Sequence, residues 1–234
     1  YCFEAHRAVE RNTVKKPGPG DWEKGIAWLR EKPEIREFLF SGGDPLLLSD
    51  DKLEAMLQDV RSIPHIKTIR FNSAVLMHCP MRITPKLVDL FLKYNVTELG
   101  VHIVHPRQFT EEAIAALRLL DRTGIIRLAQ IPLLKGVNDC TDTLRSLFEI
   151  CEFHKVSGYY LTHGMPWTIN ADSFRTPVKA GVDILSGFKR HLSNLAFPEY
   201  VIVARGGKKE VPLERTIFHR MEDEITGISV WAVD

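Results

Sequence analysis

Cysteine is scarce in this sequence: there are four cysteines in 234 residues, and none belongs to a Cys-x2-Cys pair. A long chain with so few and such widely spaced cysteines does not fit a scaffold that disulfides hold together. The cysteine content indicates instead a reduced, cytoplasmic protein.

An excess of charge of one sign and long hydrophobic runs are also missing. The sequence has 31 basic and 30 acidic side chains, so no basic excess is present to neutralise the phosphates of a nucleic acid. It contains no apolar run of 18 residues and no secretory signal, which argues against a membrane anchor. We therefore expect neither a nucleic acid nor a membrane as the main partner.

The sequence does contain enough apolar residues, 44%, for a sizeable core. From residue 34 onward, short apolar segments alternate with amphipathic ones. The predicted strands span 34–40, 67–71, 97–104, 125–134, 158–162 and 200–203. The predicted helices follow the capping residue Ser49 and the pair Thr84-Pro85, and cover 110–123, 141–155 and 178–194.

This alternation favours an all-parallel sheet with helices outside it. Six strands can be counted, and one more is expected upstream of Cys2. Periodicity does not distinguish a barrel from an open sheet, but polar residues follow the predicted strands. In parallel α/β folds ligands bind at the carboxyl ends of strands. The residues at these ends are Ser41–Pro45, Asn72–Ala74, His102–His105, Gln130 and His163.

Four motifs in the sequence are long and specific. They are Ser41-Gly42-Gly43-Asp44-Pro45-Leu46-Leu47-Leu48-Ser49-Asp50, Arg82-Ile83-Thr84-Pro85, Lys135-Gly136-Val137-Asn138-Asp139-Cys140 and Phe174-Arg175-Thr176-Pro177. Together they resemble the lysine 2,3-aminomutase family of radical S-adenosylmethionine enzymes. The resemblance implies an α/β fold, a partial (β/α)6 TIM-like barrel whose first strand lies upstream. It also implies a single core domain over 1–234, with the barrel over about 21–204 and a C-terminal extension over about 205–234.

The resemblance also implies cofactors and residues that bind them. In that family three cysteines, spaced Cys-x3-Cys-x2-Cys, hold a 4Fe–4S cluster, and Cys2 matches the third of them. Residues Ser41, Gly42, Gly43 and Asp44 match the segment that binds the amino group of S-adenosylmethionine, and His102 and Gln130 match positions that face this cofactor. The implied partners are a small-molecule substrate, a one-electron reductant such as flavodoxin or ferredoxin, and a second copy of the chain.

The sequence departs from the family where pyridoxal phosphate and the substrate bind. Without a gap, the family's cofactor lysine falls on Glu210, whereas a shifted loop would give this role to Lys209 or Lys208. Arginines that bind the substrate carboxylate and the cofactor phosphate fall on Glu4 and Ala74. The two aspartates that bind a terminal ammonium group fall near Met165 and on Val203. Lysine is therefore not the expected substrate.

The resemblance predicts a radical isomerase that migrates the amino group of an amino acid or related amine. Two alternatives remain open. One is a radical S-adenosylmethionine enzyme without pyridoxal phosphate, and the other is a barrel that has lost catalysis and serves as a binding subunit. The segment His163–Asp172 lies where the family contacts its substrate, and it is equally consistent with a surface loop.

Overall fold

The computed structural model of this chain describes residues 18–164, 171–204, 207–213, 216–221 and 224–229. Its helices are α1 (Asp21–Arg30), α2 (Asp50–Arg61), α3 (Val75–His78), α4 (Pro85–Lys93), α5 (Glu111–Leu120), α6 (Thr141–Phe153), α7 (Ala171–Phe174) and α8 (Val178–Phe188). Its strands are β1 (Glu37–Phe40), β2 (Thr68–Ser73), β3 (Glu98–His102), β4 (Ile126–Pro132), β5 (Val156–Thr162), β6 (Glu199–Ala204), β7 (Gly207–Glu210), β8 (Thr216–Met221) and β9 (Glu224–Ser229).

Strands β1 to β7 form one sheet in the order of the chain, curled into a half-barrel. The first six strands are parallel, which confirms the predicted succession of βα units. The prediction of an all-parallel sheet is wrong at the edge, where β7 pairs antiparallel with β6. Strands β8 and β9 form a separate antiparallel hairpin that the sequence analysis did not predict.

The helix starts follow from capping residues that the sequence shows. Ser49 accepts a hydrogen bond from Lys52 N at 3.4 Å, and Thr84 accepts one from Leu87 N at 3.2 Å. Both bonds satisfy backbone donors that a first helical turn leaves unpaired. Helix α5 is followed by a short 3-10 turn and then by Gly124, whose φ of 65° suits a residue without a side chain. These predicted boundaries are confirmed.

The parallel strands β1 to β6 present one face to the helices and one to the hollow of the half-barrel. On β2, Phe71 packs on Phe91 of α4 with ring centroids 5.3 Å apart, so its face of the sheet is the helix-covered one. Because successive side chains of a strand point to opposite faces, Arg70 and Asn72 belong to the inner face. The inner face therefore carries polar residues while the outer face carries the core.

Several predicted boundaries differ from the structure by a few residues. The first strand begins at Glu37 instead of residue 34, and the third ends at His102 instead of residue 104. The last predicted helix, 178–194, ends at Phe188 and continues as a 3-10 turn over Lys189–His191. In the described part of the chain, no helix combines the length and the apolar character needed to cross a membrane.

Candidate active site at the carboxyl ends of the strands

The loop that follows β1 exposes its backbone. Ser41, Gly42 and Gly43 are all exposed, and Gly42 has a φ of 115°, a conformation that only glycine adopts readily. No atom lies within 4 Å of the place where a side chain would begin on Gly42 or Gly43. A ligand can therefore approach this backbone closely, as the resemblance implies.

Asp44 joins this loop to the end of β2. Its carboxylate accepts hydrogen bonds from Ser73 Oγ at 2.7 Å and from Ala74 N at 2.7 Å. It also accepts one from Leu46 N at 3.2 Å, which starts the short 3-10 helix Pro45–Leu47. A carboxylate has about four acceptor positions, so Asp44 retains acceptor capacity for a ligand while it fixes the loop. Direct contact of Asp44 with a ligand stays a prediction.

A row of three polar side chains crosses the inner face of β2, β3 and β4. Gln130 Nε2 donates to Asn72 Oδ1 at 3.3 Å, and Gln130 Oε1 lies 3.0 Å from His102 Nε2. Because the amide oxygen can only accept, His102 Nε2 must carry the proton in this pair. The pKa of His102 is lowered, and burial is the largest cause. The imidazole is therefore neutral near pH 7, and its Nδ1 is left as an acceptor.

Gly100 makes room for this row. A Cβ atom on Gly100 would lie 3.0 Å from Gln130 Nε2 and 3.1 Å from Asn72 Cγ, and closer still to Asn72 Oδ1. In the sheet Gly100 pairs with Asn72, and His102 pairs with Gln130. From the sequence, Asn72 was expected only to lie at a strand end, and no role was predicted for Gly100. A glycine inside a strand is a signal of close approach that could have identified both.

The structure separates the two candidate lysines. Lys208 pairs with Val203 across β6 and β7, and its Nζ lies 4.0 Å from the centroid of the Tyr160 ring. Tyr160 pairs in the sheet with Gln130 of the polar row, so Lys208 lies on the same inner face as that row. Lys209 follows Lys208 in the strand, so its side chain belongs to the opposite face. The structure thus brings Lys208 to the candidate site and leaves Lys209 outside it.

The pKa of the Lys208 amine is lowered although the residue as a whole is exposed. Partial burial is the largest cause and lowers its pKa, and the charge of Arg70 lowers it further. Tyr159 and Glu199 act in the opposite direction without cancelling these effects. A lower pKa increases the share of neutral amine, which is the nucleophilic form.

A distortion in β5 puts two tyrosines beside Lys208. Gly158 pairs with Ala129 and Tyr160 with Gln130, so Tyr159 is an extra residue in the strand. The rings of Tyr159 and Tyr160 have centroids 3.7 Å apart, and burial raises the pKa of Tyr160 to about 12. Sequence reasoning missed this pair, because two consecutive residues of a regular strand would point to opposite faces.

Arg70 contacts the tyrosine pair through Tyr159. Its guanidinium forms ion pairs with Glu37 and Glu98, and its Nη1 donates to Tyr159 Oη at 3.2 Å. Arg70 therefore has its charge balanced inside the sheet and is not free to bind an anionic ligand.

The end of β5 borders a cavity of about 510 Å³. Buried His163 lines it, and His163 Nδ1 lies 2.7 Å from Tyr200 Oη. Arg175 and Thr176 of the fourth motif line it as well. Residues 165–170 of the predicted substrate segment lie outside the described residues, as do Cys2 and Glu4, so their predicted roles stay predictions.

Two of the sequence motifs support the site without reaching it. Arg82 donates to the carbonyl oxygens of Leu46 and Leu48, at 2.8 and 2.9 Å, and pairs with Asp50. Asn138 is fully buried and ties β4 to the loop after β3, since it donates to Val104 O and accepts from Leu134 N. These motifs hold the glycine loop and the loops after β3 and β4, next to the strands that carry the polar row.

The described cysteines do not assemble a metal site. Cys79, Cys140 and Cys151 lie apart, and burial strongly raises the pKa of the Cys151 thiol. Across the described ranges, no group of three or more histidine, cysteine or acidic side chains could hold a metal ion. The predicted cluster ligand, Cys2, falls outside these ranges.

The fold and the site together define a class: an α/β half-barrel with a polar, ligand-accessible row at the carboxyl ends of its parallel strands. No family model matches the chain. Among curated proteins, it is 37% identical over 191 residues to L-lysine 2,3-aminomutase of Clostridium subterminale, covering 82% of this chain and 46% of that protein. It is 36% identical over 214 residues to L-lysine 2,3-aminomutase of Fusobacterium nucleatum, covering 91% and 50%.

A third relative carries a different name. The chain is 31% identical over 191 residues to glutamate 2,3-aminomutase of Clostridioides difficile, covering 82% of this chain and 45% of that protein. The chain thus belongs to the lysine 2,3-aminomutase family of radical S-adenosylmethionine enzymes. It spans about half the length of the curated relatives it matches.

Proposed function

We propose that this chain forms the half-barrel of a radical S-adenosylmethionine isomerase that migrates the amino group of an amino acid or related amine. Family membership supports the reaction class, and its relatives are named as aminomutases of two different amino acids. The observation that carries the proposal is the hydrogen-bonded row Asn72–Gln130–His102, which lies beside the open glycine loop.

The glycine loop and the polar row fit S-adenosylmethionine. The loop offers backbone that a ligand can approach, Asp44 offers acceptor capacity for an ammonium group, and neutral His102 offers Nδ1 as an acceptor. Bound S-adenosylmethionine and a 4Fe–4S cluster would supply the one-electron chemistry that removes a hydrogen from the substrate. The protein's part is positioning, because Asp44 fixes the loop and Gln130 fixes the histidine ring.

Lys208 fits the residue that would hold pyridoxal phosphate. It lies on the inner face, its pKa is lowered, and its amine lies 4.0 Å from the centroid of the Tyr160 ring. Lys209 has the right chemistry but the wrong face, and Glu210, on which the family lysine falls without a gap, has no amine. We infer that Lys208 took over this role through a shifted loop.

We infer a substrate that lacks the terminal ammonium group of lysine. The apolar residue Val203 stands in β6 opposite Lys208, at a position where the family has an aspartate for a terminal ammonium group. An amine without a second positive charge suits this surface, because Val203 offers no carboxylate to pair with such a charge. Ala74, where the family has the arginine for the cofactor phosphate, gives only its backbone N–H to Asp44, so the phosphate of pyridoxal phosphate would need another partner.

A product assay tests the radical half of the proposal. In protein that carries all three cluster cysteines, reconstituted anaerobically with iron and sulfide and given a reductant, we expect 5′-deoxyadenosine to be released from S-adenosylmethionine. Gln130→Leu should lower its rate of formation about a hundredfold, because a misplaced cofactor loses much of the benefit of orientation. Gln58→Leu, at an exposed position of α2, should not change it. Equal rates in the two variants would refute the role of the polar row.

A further inference from the structure

A second polar cavity lies at the opposite end of the sheet, near the amino ends of β4 and β5. It has a volume of about 180 Å³. Arg127 lies three residues before Gln130 on β4, which is about 10 Å along a strand, so this cavity is separate from the candidate active site. The polar residues that line it are Arg118, Asp121, Arg127, His154 and Lys155.

Positive charge exceeds negative charge in this cavity. Asp121 is the single carboxylate among the lining residues, and it pairs with Arg127 at 2.8 Å and with Lys155 at 3.7 Å. Arg118 is exposed on α5 and adds a third permanent cation. One carboxylate therefore stands against three cations, and an anion would restore the balance.

Arg127 is the best evidence for a ligand. Its side chain is only 5% exposed, and two of its nitrogens are used, by Leu117 O at 2.9 Å and by Asp121. Its Nε is buried and has no hydrogen-bond partner in the described part of the chain. This Nε is too buried for a ligand to reach, so an anion in the cavity would stabilise the Arg127 guanidinium through its charge.

His154 and Lys155 face the same space. The His154 ring lies between Phe109 and Phe153, with centroid distances of 5.5 and 5.0 Å. Within the described residues its ring nitrogens make no hydrogen bond of their own. Burial first, and the charges of Arg118 and Arg127 next, lower the pKa of His154. Lys155 has a φ of 58°, a left-handed conformation that is unusual for a side chain of this size.

We propose that this cavity binds a small oxyanion of the phosphate type, either inorganic phosphate or the phosphate group of a monoester. Phosphate accepts hydrogen bonds in several directions. It therefore suits a cavity whose donors come from three parts of the fold, α5, β4 and the α6–β5 connection. Pockets for larger organic ligands measure about 300 to 1,000 Å³. The cavity of about 180 Å³ is smaller than that range and suits a single anionic group.

The His154 ring provides a local probe of binding. Its imidazole resonances would be followed by NMR during titration with potassium phosphate, and in parallel with potassium chloride at matched ionic strength. We expect phosphate, but not chloride, to shift these resonances saturably and to raise the pKa of His154, because a bound anion favours the imidazolium form. Equal, non-saturating responses to both salts would overturn the proposal.

A double variant tests the lining residues without touching buried Arg127. Arg118→Gln with Lys155→Asn removes two exposed cations, and asparagine suits the left-handed conformation of residue 155. We expect phosphate to bind about tenfold more weakly or worse. Arg122→Gln is the matched control, because Arg122 pairs with Asp89 and does not line the cavity. Unchanged affinity in the double variant would refute the site.

A third titration identifies the source of the anion. If methyl phosphate binds more tightly than inorganic phosphate, the site is one for a phosphate monoester, and if it binds equally or more weakly, the site is one for the inorganic ion. Either result supports an oxyanion site.

Discussion

Replacing Gly100 with alanine tests whether close packing holds the polar row in place. The new Cβ would stand 3.0 Å from Gln130 Nε2 and 3.1 Å from Asn72 Cγ, tighter than ordinary contact. Asn72 can turn away, but it then gives up the bond to Gln130, worth about 0.5 to 1.5 kcal/mol. An off-rotamer side chain adds about 0.5 to 1.5 kcal/mol, and replacing a strand glycine returns about 0.5 to 1 kcal/mol. The net loss is about 1 kcal/mol.

The assay compares stability with ligand binding. Urea unfolding should show that Gly100→Ala lowers the free energy of unfolding by this modest amount, while formation of 5′-deoxyadenosine falls much further because Gln130 no longer fixes His102. Gly25→Ala is the control, since nothing lies within 4 Å of its new Cβ, and in α1 it should stabilise by about 1 kcal/mol. A Gly100→Ala protein with normal stability and normal activity would refute the reasoning.

Two further predictions concern stability. The pKa of His102 is lowered in the folded protein from an ordinary value of 6.5, so the unfolded chain binds the proton more readily and stability must fall as the pH drops below about 6.5. His102→Gln should flatten this loss in urea unfolding measured between neutral and acidic pH; an unchanged pH profile would contradict the lowered pKa. Asn138→Ala leaves Leu134 N and two carbonyl oxygens without their buried partner, so it should cost about 2 to 4 kcal/mol. Exposed Asn194→Ala should cost less than about 0.5 kcal/mol, and similar losses for both would show that Asn138 has no special role.

Much of the fold follows from local signals in the sequence. Ser49 and Thr84 mark helix starts because a hydroxyl can accept from the first turn, and the six parallel strands show as short apolar runs between amphipathic helices. Strand β7 gave no such signal. All four of its residues are polar or glycine and exposed, so it is a strand only because β6 offers an edge to pair with.

The candidate site was predictable in its parts but not in its arrangement. His102 and Gln130 could be proposed from the ends of strands, and the structure shows that they touch. The choice between Lys208 and Lys209 depended on the register of β7, because a shift of one residue moves a side chain to the other face. Tyr159 entered the site through a strand irregularity that no periodicity reveals.

Mapping the lysine that reacts with pyridoxal phosphate tests the proposed role of Lys208. The protein would be incubated with pyridoxal phosphate, reduced with borohydride, and digested for peptide mass spectrometry, with Lys208→Arg and Lys209→Arg as matched variants. We expect a stoichiometric phosphopyridoxyl adduct on Lys208 that Lys208→Arg abolishes and Lys209→Arg leaves intact. An adduct confined to Lys209 would contradict the choice of Lys208. No adduct at a specific lysine would favour a radical enzyme without pyridoxal phosphate.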